Sequence, residues 1–465
     1  MRLLRHTLPA DLLTPLAAYL ALRPAGASLL LESADQGERV GRHSFVLLQG
    51  GPSVSLTGAT AGWVETLRDL APRCGGEDVQ DPAGLPQGRE PLPVGVGLAG
   101  YVGFEALAGL EATLPLPTHN SLGLPTVWAQ VFDAALVFDH LHQVAELQVL
   151  DADLDRAAQR LGGLLRQLRT LVLPGEVRGP EPRLRALQTR EAFEAVVRKV
   201  QTYIQDGDVY QLVPSQRMEV QDPPTPLETY RRLRRLNPSP YGFLLEQPTF
   251  ALAGASPEML VRVADGEAET LPIAGTVLRG ASEEEDLRRF EGLKADPKER
   301  AEHQMLVDLA RNDLGRVAVP GGVRVENPLA LQRTSHVLHL TTTVKATLKP
   351  GVDALDVLAS AFPAGTVSGA PKLRAAQRIA ELEGEARGPY GGALIRLGAD
   401  GVLDSALILR TVTFVGDRAY LQAGAGVVKA SDPTREYLET LHKMGAPAQA
   451  LGVTLPTVAL EEVAR

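Results

Sequence analysis

The 465-residue chain carries one cysteine, Cys74. A single thiol excludes intrachain disulfides and any site built from several thiolates, and it agrees with a reducing compartment, so the cytoplasm is the expected location. Aromatic residues are sparse, at 5%. No stretch reaches eighteen uninterrupted apolar residues, and Arg2, Arg5, Asp11 and Arg23 break up the first thirty. Neither a membrane-spanning helix nor a secretory segment is expected. Positive charge is not in excess: 47 basic against 56 acidic residues leave −9, which argues against a surface that attracts nucleic acid or anionic lipid as a whole. The H-E-x-x-H, Walker and G-x-S-x-G patterns are absent. Gly95, Gly97 and Gly100 fit G-x-G-x-x-G, but no apolar strand leads into them and Gly103 follows, so a dinucleotide site is not expected.

What is present is an ordinary globular composition, 44% apolar and 22% charged, long enough for two or three domains. Proline and glycine concentrate at 81–93 and at 174–182. Amphipathic helical patterns flank the second stretch: Leu154, Ala158, Leu161, Leu165 and Leu168 before it, Phe193, Val196, Val197, Val200 and Tyr203 after it. It therefore divides the chain into regions 1–175 and 183–452. In the second region the pattern predicts helices over 283–294, 298–312, 370–383 and 433–446. Strands are predicted over 209–220 (interrupted by Pro214), 250–255, 259–263, 340–348 and 418–423. That alternation predicts an α+β domain with a mixed sheet.

Two predicted helices each carry a Glu-x-x-Glu pair. Glu299 and Glu302 share nearly one face, and Glu302 lies on the stripe of Met305, Leu306 and Leu309, where an unpartnered carboxylate is costly. Glu436 and Glu439 follow Asp432-Pro433, a good helix start. Carboxylates from two helices suit one Mg²⁺ that keeps positions for water and an anionic ligand. The plainer alternative is a solvated face, with Glu439 paired to Lys443 one turn on. FPAGTVSGAPK (362–372), GPYGG (388–392) and QAGAGVV (422–428) offer backbone that can approach a ligand closely, or else plain tight turns. With Arg410 closing a strand-like run, they suggest a pocket for a small dianion.

These blocks, together with GDVYQLVPSQR (207–217), NPSPYGF (237–243), GASPEMLVR (254–262), PIAGT (272–276), DPKERAEHQMLVDLARNDLGRV (296–317) and HVLHL (336–340), resemble the chorismate-utilising family. Within it the likeness is greatest to the component I subunits of anthranilate synthases, with weaker similarity at LLES (30–33) and GYVGFE (100–105). The resemblance implies a large two-halved antiparallel β-sandwich with outer helices, and an N-terminal region packed on it. It implies Mg²⁺-dependent amination of chorismate at C2 followed by loss of pyruvate, giving anthranilate. By the same resemblance Glu302 and Glu439 are the metal ligands, with Glu299 and Glu436 in support. Tyr390, Arg410 and the backbone of Gly424, Ala425 and Gly426 hold the enolpyruvyl carboxylate, while Gly275 and Thr276 line the substrate. His339 is assigned to proton transfer, an imidazole titrating near neutrality, with Thr366 and Lys443 as secondary candidates. His336 should point to the other face of the strand.

Few residues separate the relatives. Aminodeoxychorismate synthases that use a covalent amine carry lysine where this chain has Ala274, and isochorismate and salicylate synthases carry a water-activating lysine where it has Gln211. Neither position offers a nucleophile or base, so ammonia is the expected nucleophile. Ser33, Pro240, Tyr241 and Gly242 resemble a tryptophan feedback site, with Gly242 standing where methionine is frequent. Cys74 lacks the surroundings of a glutaminase, which implies a separate glutamine amidotransferase subunit, component II, as partner. The alternatives are a lysine-free aminodeoxychorismate synthase component I and a catalytically silent subunit of the same fold.

Overall fold

The computed structural model describes residues 1–33, 42–58, 60–75, 78–81, 92–117, 119–170, 179–333 and 337–456. The predicted linker at 174–182 falls largely outside them, as do most of the 81–93 stretch and His336. Among the described residues, twenty strands join one large sheet. Its pairings are antiparallel except for the one between Arg2–Pro9 and Val79–Gln80. The α+β class and the dominant antiparallel sheet are as expected.

The sheet runs through both predicted regions. Ala27–Glu32 pairs with Tyr241–Glu246, setting Gly242 opposite Glu32, and Gly97–Val102 pairs with Ala393–Gly398. Leu29, Phe45, Tyr101, Phe132, Phe243 and Leu252 pack in one core cluster drawn from strands of both regions. A second cluster seats Phe193, Tyr230, Tyr437 and Leu441, from outer helices, on Met218, Val220 and Leu421. A third seats Val307, Ala310 and Leu314 on Val344, Ala346 and Ile395.

The site-bearing helices begin where their caps dictate. Asp296 accepts from the amides of Lys298 and Glu299 to open Pro297–Gly315, and Asp432 accepts from the amide of Arg435 to open Pro433–Leu451. The second helix continues past Pro447, where the sequence suggested an end. Burial of Ala448, Ala450 and Leu451 holds the last turn despite the lost N–H, and Gly452 closes it at φ +78°. The 209–220 strand divides into Gln211–Leu212 and Ser215–Gln221 around Pro214. The long strand Ala318–Arg333, with Gly and Pro inside it, escaped the periodicity because it pairs with Val337–Leu348 through two register shifts.

Candidate active site

His339, on Val337–Leu348, stands opposite Thr276 on Ile273–Leu278. The register shifts between Ala274 and Thr276, and Gly275 occupies the shift at φ +68°, a conformation that favours glycine. Its freed carbonyl accepts a 3.0 Å hydrogen bond from His339 Nδ1, and Thr276 Oγ1 lies 3.3 Å from the same nitrogen. Since a carbonyl only accepts, Nδ1 carries the proton and a neutral ring presents Nε2 as a base. Desolvation lowers the His339 pKa, and the charge of Arg410 lowers it further. A Cβ on Gly275 would come within 3.1 Å of Glu299 Oε2, so that glutamate reaches toward this turn.

Arg410 has φ +50° and no ion-pair or side-chain hydrogen-bond partner among the described residues. It lies within electrostatic reach of Tyr390 and Glu439, and desolvation lowers its pKa. Tyr390 is 9% exposed, and its hydroxyl is pushed up to about 12 by burial. That hydroxyl abuts Gly424, where a Cβ would lie 3.0 Å from the oxygen. Ala425 is held by a 3.2 Å bond from its N–H to the Pro214 carbonyl. A Cβ on Gly426 would meet the Gln211 amide at 2.9 Å. A guanidinium unpaired among the described residues, a phenol and a glycine turn thus lie near one another, an arrangement that can hold an anion.

The acidic helices come close to the same groups: Glu439 lies within electrostatic reach of Arg410, and Glu299 approaches Gly275. Glu302 and Glu439 repel each other, as do Glu436 and Glu439, and desolvation together with this repulsion raises the pKa values of Glu302 and Glu436. Lys298 Nζ lies 3.7 Å from Glu302, and Lys443 Nζ lies 2.6 Å from Glu439 and donates at 2.9 Å to the Gly424 carbonyl. Glu436 Oε2 is buried without a hydrogen-bond partner among the described residues. Among the described residues no three His, Cys, Asp or Glu side chains gather as a preformed metal cage. Mutually repelling carboxylates and an orphaned oxygen do fit a hard divalent cation whose other positions go to water and ligand.

Sequence reasoning missed Glu258. It sits between the strands Phe250–Ser256 and Met259–Ala264, and its Oε1 accepts a 2.8 Å bond from the Thr366 hydroxyl. Desolvation pushes its pKa up to about 7, against the lowering effects of Thr366 and Lys443. The signal available was one acid inside the otherwise apolar run ALAGASPEML.

A separate cavity of about 390 Å³ is lined by Ser33, Glu32, Tyr230, Arg234, Asn237 and Gly242, among others. Among the described residues Ser33 Oγ is buried with no hydrogen-bond partner, while Glu32 accepts from Tyr230 at 2.7 Å and pairs with Arg234 at 3.1 Å. Pro240 and Tyr241 do not line it; strand alternation turns Tyr241 to the opposite face, toward Asp404 and Arg262.

The sequence profile of the chorismate binding enzyme family matches residues 28–449. Anthranilate synthase component 1 of Pseudomonas putida is 38% identical over 472 residues, covering 97% of this chain and 95% of that one. The protein of the same name from Thermus thermophilus is 41% identical, covering 96% and 97%. The crystal structure of anthranilate synthase component I from Streptococcus pneumoniae superposes with a TM-score of 0.77 at 31% identity, covering 95% of this chain and 98% of that one. The isochorismate synthase MenF of Escherichia coli, at 19% identity and a TM-score of 0.72, shares the fold.

Proposed function

The chain belongs to the chorismate binding enzymes, and on that premise we propose that it is the component I chain of an anthranilate synthase, converting chorismate and ammonia to anthranilate, pyruvate and water in tryptophan biosynthesis. The observation that carries this reading is Arg410, a guanidinium without an ion-pair or side-chain hydrogen-bond partner among the described residues, within electrostatic reach of Tyr390, His339 and Glu439, with Tyr390 against Gly424. Arg410, Tyr390 and the backbone of that turn hold the enolpyruvyl carboxylate. Glu302 and Glu439, supported by Glu436, would hold Mg²⁺, which when bound would supply Lewis acidity at the substrate's ring carboxylate.

Glu258 delivers a proton to the departing C4 hydroxyl, since a carboxyl with a pKa of about 7 keeps its proton at mildly acidic and neutral pH. Thr366 aims it. Ammonia adds at C2 as the neutral molecule, because Gln211 offers no base to activate water. Neutral His339, its Nδ1–H committed to Gly275, takes the C2 proton through Nε2 as pyruvate leaves and the ring becomes aromatic.

Nitrogen comes from a separate glutamine amidotransferase subunit, and the cavity at Ser33 and Gly242 takes tryptophan as feedback inhibitor. Two polar groups support the latter: the unpaired Ser33 hydroxyl and the Glu32 carboxylate, which suit an amino acid's charged end. No described helix is long and apolar enough to cross a membrane, and a cytoplasmic enzyme is the reading we adopt. The test is the nitrogen source. The isolated chain should make anthranilate from chorismate with ammonium and gain glutamine-dependent activity only when the amidotransferase is added; efficient use of glutamine by the chain alone would refute the two-subunit reading.

A further inference from the structure

Deepening the chorismate reading, on which it rests, we infer that Glu105, from the N-terminal region, is a positioning residue of the substrate site that fixes three substrate-facing segments, the Tyr390 turn directly and two more through Arg387. Glu105 lies in the single 3-10 turn Phe104–Ala106 after the strand Gly97–Val102 and is 9% exposed. Its two oxygens accept from consecutive backbone amides, Oε1 from Arg387 at 2.7 Å and Oε2 from Gly388 at 3.0 Å. The contact is reciprocal: the amide of Phe104 donates to the Gly388 carbonyl at 2.9 Å, and the Phe104 ring lies 4.4 Å from the Arg387 guanidinium. Gly388, at φ +63°, then turns the chain toward Tyr390 two residues on.

Arg387 distributes that fixation. It is 1% exposed, and its guanidinium donates to the Val367 carbonyl at 2.7 Å, the Val213 carbonyl at 2.6 Å, and both oxygens of Glu383 at 2.9 and 2.6 Å. Glu383 in turn accepts from the Ser215 amide and hydroxyl at 2.7 and 2.9 Å. Val367 adjoins Thr366. Val213 and Ser215 flank Pro214, whose carbonyl holds Ala425 in the anion-binding turn. One buried carboxylate therefore fixes the Tyr390 turn directly, and the Thr366 and Gly424–Gly426 segments through the planar fork of one arginine. A lysine could not span these partners. Glu105 itself reaches none of the groups assigned to chemistry.

The requirement is for a carboxylate. Two adjacent N–H donors need two acceptors, and glutamine supplies one oxygen and turns an NH₂ toward the other donor, leaving buried amides unpaired. Glu105→Gln should raise KM for chorismate tenfold or more while kcat falls less than threefold, measured with ammonium and Mg²⁺. Hydrogen exchange of the 385–391 amides in the same sample should be accelerated, with no substrate needed. Glu105→Asp, one methylene short of spanning both amides, is read in the same way should the glutamine variant not accumulate folded. Unaltered exchange at 385–391 overturns the anchor, and faster exchange with an unaltered KM overturns the positioning role. A wild-type chain that does not turn over chorismate would refute the functional reading, and the exchange data would still decide for or against the anchor.

Discussion

Thr366 Oγ1 donates a 2.8 Å hydrogen bond to Glu258 Oε1, joining the loop at 362–371 to a carboxyl that the sequence pattern alone did not single out. With its pKa raised from 4.5 to about 7 by burial, Glu258 keeps its proton below neutral pH. At constant free ammonia, kcat should fall as pH rises through about 7, and Glu258→Gln should lose that limb along with about 10²-fold or more in kcat. An unchanged limb in the variant would move the acid elsewhere.

The same shift has a signed consequence for stability. A carboxyl whose folded pKa is raised contributes stability that is present below about 4.5 and is lost as pH rises through about 7. Relative to Glu258→Gln, the wild-type protein should therefore lose stability between pH 5 and pH 8. Urea midpoints for the two proteins at both pH values check this, and parallel behaviour would contradict it.

Among the described residues Arg410 has no ion-pair or side-chain hydrogen-bond partner to lose. Arg410→Ala should weaken chorismate binding by about 1.5–3 kcal/mol, raising KM roughly 10- to 150-fold. Its melting temperature should not fall, because an unpaired, desolvated charge is removed. Wild-type KM in a folded variant would take Arg410 out of the pocket.

Glu302 and Glu439 repel each other in the absence of a cation. Mg²⁺ should raise the melting temperature of the wild-type chain by preferential binding to the folded state. Glu302→Gln should abolish both that rise and turnover. A retained Mg²⁺-dependent shift would place the metal at other ligands.

Ser33 offers an unsatisfied buried hydroxyl to the 390 Å³ cavity. Ser33→Ala should raise the tryptophan concentration needed for half-inhibition several-fold, in line with about 1 kcal/mol for one hydrogen bond, and leave kcat unchanged. An inhibition curve identical to wild type would remove tryptophan from this cavity.

Local chemistry was legible wherever a residue announces its own geometry. Asp432-Pro433 marked the start of the helix that carries Glu436 and Glu439; Gly275 was named only through the family resemblance, and its left-handed backbone, which frees a carbonyl for His339, was not legible in PIAGT. What stayed hidden depends on contacts between distant segments. The pairing of Gly242 with Glu32 joins residues about two hundred positions apart, and no local period encodes it. Glu105 looks like one acid in an apolar segment until the amides of Arg387 and Gly388 are brought to it, and Glu258 looks the same until Thr366 arrives. Pro240 and Tyr241 lie beside Gly242 in sequence, yet strand alternation sends the tyrosine to the opposite face from the cavity.

The most direct test of the central claim is simultaneous assay of anthranilate fluorescence and pyruvate from the purified chain given chorismate, Mg²⁺ and excess ammonium at mildly alkaline pH. Equimolar release of the two products is the predicted result. Consumption of chorismate without pyruvate, or no consumption at all, would contradict it.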